Sequence, residues 1–564
     1  MTFGIFVLII PLAIYLIAGM VAKKDIKHPD DFFIAYKKVG TTPFANSSIA
    51  YGFQVATVYP FIIWAATGSI SLALANSFFW GVGILVFSFV IPKLREFIGS
   101  DKTLHGFIGE KYKSTGLRLT TSYLTILGIA GVALAEIVWG SSILSILIGD
   151  SKIAMYLILF FMILYVLLYI LRGGQLSSIR TDQIQLIFSY LGVFVIIGYS
   201  IFVLIKNSVT LNFSTSFSLL VLIISLSGIL FYRKFSFLKP QTSTGKFGGI
   251  SKLSNIFISA LFIIVICLAL YSLPKLNFAG AKTSLAIGNF GFLTLLAYSL
   301  MPLLWQFSDM TNWQRILAVE IGDKDDKTKV LNNITKGLRV YGIESPFSWF
   351  SVIALGAFVA LAFPSVIASG DPFYNIPNLL VSSAKWYEQL FGYTFIVSIL
   401  AIMLSTVDSA ISAIMFAFTY DAYPFSRKIL DSKDDPAISI NALKIMGVGK
   451  AFSVVLILFL SLHIFIDYFE FGGINFIGML FAFYTAQLSF AIPVIGAILL
   501  KPLPRKGFVI VSIIVSAAFG VLSGVWITIK SLEAYGWLPI IGTLFISIII
   551  YSAGYFKNNS RGLR

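Results

Sequence analysis

The chain has 564 residues, 58% hydrophobic and only 12% charged, which excludes an ordinary soluble domain as well as a disordered one. Its net charge of +16 would suggest nucleic acid in a soluble protein; in so apolar a chain it fits loops facing an anionic membrane leaflet. A single cysteine, Cys267, excludes an internal disulfide, and the three histidines show no metal-ligand spacing.

Hydrophobic runs of about 18 residues or more recur, each long enough to cross roughly 30 Å of hydrocarbon. The fold class is therefore an all-α polytopic membrane protein. Fifteen spans are predicted, at 2–22, 44–66, 70–92, 118–148, 153–171, 179–205, 217–232, 253–273, 286–311, 345–366, 391–419, 446–467, 472–500, 507–529 and 537–556. The first lacks a basic leader and is followed by Lys23 and Lys24, so it reads as a retained span with the N-terminus outside. On that footing all but six of the 41 Lys and Arg lie on the cytoplasmic side, together with the C-terminus. The six are Lys152, Lys206, Lys275, Lys282, Lys385 and Lys530. Spans 217–232 and 253–273 enclose a basic loop and form a hairpin.

Four membrane stretches carry polar residues that are costly there unless they face a cavity or a partner. In PFANSSIAYGFQVATVYPF (43–61), Gly52, Gln54, Thr57 and Pro60 interrupt the second span, and Pro60 is expected to free carbonyls near Phe53 to Ala56. Discontinuous helices of this kind form ion and solute sites in secondary transporters, although a kinked packing helix reads the same way. Glu136 is an isolated acid that either acts chemically or hydrogen-bonds a neighbouring helix. In GGQLSSIRTDQIQLIF (173–188), Asp182 is either interfacial or inward-facing, and Arg180 stands too near it in sequence to share its face. In LMPLLWQFSDMTNWQRILA (300–318), Pro302 offers a second break beside Trp305, Gln306, Ser308 and Asp309, while Trp313 reads as an interfacial anchor. The eleventh span carries Ser405, Thr406, Asp408, Ser409 and Ser412 within two turns, then Asp421 at its cytoplasmic end, where a structural role suffices. Phosphate-binding glycine loops and nucleophile elbows are absent from the sequence, which argues against an enzyme.

In order along the chain, DDFFIAYKKVGTTPF (30–44), TLHGFIGEKYKSTGLR (103–118), GGQLSSIRTDQIQ (173–185), WQRILA (313–318) and LSTVDSA with TYDAY together resemble the sodium:solute symporter family. The resemblance spans roughly 30–424. It implies a LeuT-like five-plus-five inverted repeat, with the first repeat at 44–205 and the second at 286–500. Around these stand an N-terminal span and loop (1–43), the additional hairpin (206–285), and two C-terminal spans with a basic tail (501–564). It further implies a sodium site formed by the carbonyls of Ala50, Phe53 and Ile402 and the hydroxyls of Ser405 and Thr406, a hard-oxygen set suited to that ion. A second cation or proton site would use Asp182, Asp408 and Ser409. Solute would lie between the broken helices near Gln54, Thr57, Trp305, Ser308 and Asp309. The chain departs from the family in its hairpin, in Gln54 where Ser is common, and in lacking the signatures of proline and sugar carriers.

The expected activity is import of a small polar organic solute across the cell membrane, coupled to sodium and needing no cofactor. Proton coupling is the alternative, and a channel a further one. The expected partners are the solute and membrane lipid, without nucleic acid; oligomeric state is not readable.

Overall fold

The computed structural model describes residues 2–237, 248–278, 291–319, 327–422, 446–458 and 476–562, apart from 28, 36–37, 68, 95–96, 98–102, 150, 212, 369 and 531. Almost all of this is helix, as an apolar solvent demands, because a spanning segment must satisfy its own backbone donors and acceptors. Helix α1 is Thr2–Val21, followed by α2 (Thr41–Gly52), α3 (Val55–Ala66), α4 (Ile70–Val90), α5 (Thr115–Ser145) and α6 (Lys152–Lys206). Next come α7 (Phe213–Phe237), α8 (Gly248–Ser272), α9 (Phe292–Ser308), α10 (Met310–Ala318), α11 (Lys327–Ala362) and α12 (Trp386–Ala417). The described chain closes with α13 (Phe476–Leu488), α14 (Ala491–Leu499), α15 (Lys506–Lys530) and α16 (Trp537–Gly562).

Among the described residues ten helices are long and apolar enough to cross a membrane. The pair α2 and α3, bent by 56°, makes an eleventh, and three shorter apolar helices lie at Thr215–Leu230, Phe292–Ser308 and Met446–Leu458. Two predicted spans, 153–171 and 179–205, run on as α6 and part at Gly174, whose backbone (φ 52°, ψ −146°) is not helical. That position requires glycine, since a side chain would collide with the carbonyl of Phe32. The predicted span at 345–366 belongs to the longer α11, which begins at Lys327. Parts of the predicted spans at 446–467 and 472–500, and of the hairpin loop, lie outside the described residues.

The centre of the molecule is α12, buried almost continuously from Gly392 to Ala417 and packed between α6 and α5. Lipid gives apolar helices little reason to associate, so close approach through small residues carries the packing. Gly140 of α5 lies against Met403, and Gly192 of α6 against Ser398. Peripheral α1 and α8 instead turn large apolar side chains outward, among them Ile10, Ile17, Phe257 and Ile263. A two-residue parallel pair, Thr210–Leu211 with Asn277–Phe278, ties the two ends of the α7–α8 hairpin together.

Candidate ion and solute site

The first broken helix parts at Phe53 and Gln54, whose backbones leave the helical region (ψ 80° and 143°), Gln54 being extended. Pro60 is not the cause; it sits inside the continuous α3. What holds the break open is Glu136 of α5, whose two carboxylate oxygens accept from the N–H groups of Val55 (2.9 Å) and Ala56 (2.8 Å). Those are orphan donors of a helix start, and a carboxylate there also suits the positive end of the helix dipole. On the other side of the break, Trp349 Nε1 of α11 donates to the carbonyl of Gly52 (3.0 Å). Of the two roles open to Glu136, the geometry shows the hydrogen bond to a neighbouring helix.

The second break falls at Asp309, beyond Pro302, which again lies within a helix. Proline leaves the carbonyl of Tyr298 without its i+4 donor, and Asn76 Nδ2 of α4 takes it (2.9 Å). Asp309 caps α10 itself: its Oδ1 accepts from the Thr311 N–H (2.9 Å) and hydroxyl (2.6 Å). Gln487 Nε2 of α13 donates to the Ser308 carbonyl (2.8 Å). Trp313 is no interfacial anchor, being fully buried with its indole N–H on the Phe307 carbonyl (3.0 Å).

Between the breaks lies a cluster of ionisable groups withdrawn from water. Asp182 faces inward, fully buried, accepting at 2.5 Å from both Ser47 of α2 and Ser405 of α12. Arg315 of α10 pairs with it at 3.5 Å, donates from Nε to Ser47 (2.9 Å) and from Nη2 to Ser409 (2.6 Å), and stacks over Tyr51 (4.7 Å). Asp408 takes hydroxyls from Ser178 (2.7 Å), Tyr169 (2.8 Å) and Thr181 (3.1 Å), and Ser178 Oγ stands 3.0 Å from Ser409 Oγ. Buried Asp309 also lies within electrostatic reach of Arg315 and accepts from Tyr51 (3.4 Å), so the carboxylates here outnumber the one guanidinium, a reason for this locus to hold a further cation or a proton. Arg180 turns away and pairs with Asp25 (2.7 Å), as its spacing from Asp182 requires.

The structure buries Ala50, Phe53, Ile402, Ser405 and Thr406, which lie on α2, at its break and on α12, and these two helices pack together. The Thr406 hydroxyl donates to the Ile402 carbonyl (3.2 Å), and the Phe53 N–H reaches the Ala50 carbonyl (3.2 Å). The Ile402 carbonyl thus takes the Thr406 hydroxyl as well as its helical N–H, and the oxygens of this set are of the type a small hard cation prefers. Of the expected solute residues, Gln54, Thr57 and Trp305 line one cavity of about 60 Å³ beside the first break. Ser308 and Asp309 do not line it; the Ser308 hydroxyl turns back to the Trp305 carbonyl (3.2 Å). Sequence reasoning missed Trp64, Trp80, Trp139 and Trp349 on the cavity wall, because they come from separate helices and read singly as apolar core. Arg315 could have been flagged, as a lone cation just after the second interruption. Asp421, at the end of α12, accepts from Thr103 (2.8 Å). Among the described residues no three His, Cys, Asp or Glu gather as a metal cluster.

No family model matches the chain, and no curated protein matches it by sequence. In three dimensions it is similar to the solved structure of a sodium-coupled sialic acid symporter in a substrate-bound, outward-open state. The match has a TM-score of 0.58, covers 98% of this chain and 98% of the other, and carries 15% sequence identity. The chain thus shares the fold of that structure.

Proposed function

We propose that the protein is a secondary transporter importing a small polar organic solute with sodium by alternating access. The observation that carries this reading is the meeting of two broken helices with α12 around a buried cluster whose carboxylates outnumber its one guanidinium. Sodium binds the carbonyls of Ala50, Phe53 and Ile402 and the hydroxyls of Ser405 and Thr406, joining α2 to α12. Asp182, Asp408 and Ser409 form the second cation or proton locus, with Arg315 as their fixed counter-charge. Solute occupies the cavity at Gln54, Thr57 and Trp305, and reaches Ser308 and Asp309 when the second break moves. The repeats are 44–205 and 286–500, and fifteen spans result if α6 counts twice, the bent pair once and each shorter apolar helix once. The N-terminus is outside and the C-terminus cytoplasmic, in the cell membrane.

One positive charge crossing 100 mV releases about 2.3 kcal/mol, before any concentration gradient is added. Proteoliposomes therefore accumulate solute under an imposed inward sodium gradient, and a potential negative inside increases the uptake. Sodium-independent uptake abolished by a protonophore would replace sodium with the proton. Flux without saturation would make the protein a channel.

A further inference from the structure

We infer that the cavity beside the first break binds a compact organic cation, an alkylated or N-methylated ammonium group; this rests on the proposed transport function for its purpose but not for its chemistry. Five of the nine tryptophans in the chain, Trp64, Trp80, Trp139, Trp305 and Trp349, line this one cavity, joined by Tyr298 and Tyr484. Two of the five indole N–H groups are engaged elsewhere: Trp80 Nε1 donates to Tyr341 (3.2 Å) and Trp349 Nε1 to Gly52 (3.0 Å). The wall is rich in aromatic surface, and a cation beside indole rings is the ligand such surfaces favour. Lys, Arg, Asp and Glu are all missing from the lining, while Tyr484 lies within electrostatic reach of Glu136 and Asp309. Pro60 also leaves the carbonyl of Ala56, a residue of the lining, without its i+4 donor.

The hydrogen-bond count decides against richer solutes. The polar side chains of the lining are Gln54, Thr57, Asn76 and the two tyrosines, and Asn76 Nδ2 is committed to the Tyr298 carbonyl. A sugar would leave hydroxyls unmatched, at a cost for each. About 60 Å³ holds roughly four to six waters, room for a compact solute. The test is calorimetry on the purified full chain with choline, its neutral isostere 3,3-dimethylbutan-1-ol, urea and glucose, each with and without sodium. Choline is expected to bind about tenfold tighter than the isostere, and Trp305→Leu to lose choline while sodium still raises the melting temperature. Equal binding of the isostere, no binding of choline, or binding of urea or glucose in its place overturns the inference. Choline binding without any sodium effect would instead sink the sodium reading and leave the cation site standing.

An independent observation concerns the α7–α8 hairpin. Asn46, next to Ser47 of the ion cluster, donates from Nδ2 to Gln183 of α6 (3.1 Å) and to Asn255 of α8 (2.9 Å). Two turns further along α8, Phe262 meets Tyr190 edge-on (5.0 Å), and Tyr190 in turn packs on Phe53 at the break (5.8 Å). The geometry points to α8 as a brace on the first broken helix, with Asn255 a positioning residue. Hydrogen–deuterium exchange of Asn255→Leu tests it. Exchange across 41–54 should rise about threefold, the worth of an average interhelical hydrogen bond in a membrane, while 256–272 and the melting temperature stay unchanged. Unaltered exchange at 41–54, or a general loss of protection in α8, overturns it.

Discussion

The two broken helices reach similar shapes by different means. At the second break the chain supplies its own cap, Asp309, which holds the next turn through Thr311 two residues on. At the first, Gln54 stands at the N-cap without a side-chain bond, and the open conformation is imposed by Glu136 from α5 and Trp349 from α11. Both breaks have a carbonyl held from another helix, by Gln487 and by Trp349, but the second has a local cap and the first is capped only from α5. The proposed sodium carbonyls, Ala50 and Phe53, sit at the first break, so relative movement of α5 or α11 is transmitted directly to the ion's ligands. Arg315 joins the two breaks, since it rises from the helix after the second and grips Ser47 in the helix before the first.

The largest expected effect is loss of that joint. Arg315→Met leaves Asp182 buried without its cation and should cost about 3–5 kcal/mol in stability. Adding Asp182→Asn should recover much of it in the same denaturation measurement; no recovery would mean that Arg315 serves the fold through Tyr51 and Ser409 alone. Next comes Glu136→Ala, which strips the acceptor from two buried N–H groups at about 1–3 kcal/mol each. It should alter sodium affinity as well as stability, because the break it removes carries the carbonyl ligands. Smallest is Asp309→Ala, the loss of a local cap worth about 1 kcal/mol, with Asp309→Asn nearly silent because Asn also caps. If Asp309→Ala weakened sodium binding more than Glu136→Ala did, the distinction between a local and a tertiary cap would collapse.

Much of this layout is readable in the sequence, for physical reasons. Spans declare themselves by length and hydropathy, and both breaks fall within a few residues of polar interruptions that an apolar helix would not tolerate. The causes are less visible. Pro60 and Pro302 draw attention, yet each is absorbed inside a helix, and the group that opens the first break stands 80 residues from Ala56. Asp182 and Asp408 are conspicuous as acids in apolar surroundings, whereas the hydroxyls that hold Asp408, from Tyr169, Ser178 and Thr181, look like ordinary helix residues. The indoles of the cavity are scattered from Trp64 to Trp349, and only the packing of separate helices turns them into one wall. Trp313 shows the converse, a residue type common at interfaces that is drawn wholly inside.

The central claim is that sodium joins the first broken helix to α12. It is tested most directly by titrating the thermal stability of the purified chain with sodium, against potassium at equal ionic strength, in the wild type and in Ser405→Ala with Thr406→Val. The account predicts a saturable, sodium-specific stabilisation of about 2.7 kcal/mol at a hundredfold excess over Kd, lost in the double variant. An equal response to potassium, or a sodium response that survives both substitutions, would contradict it.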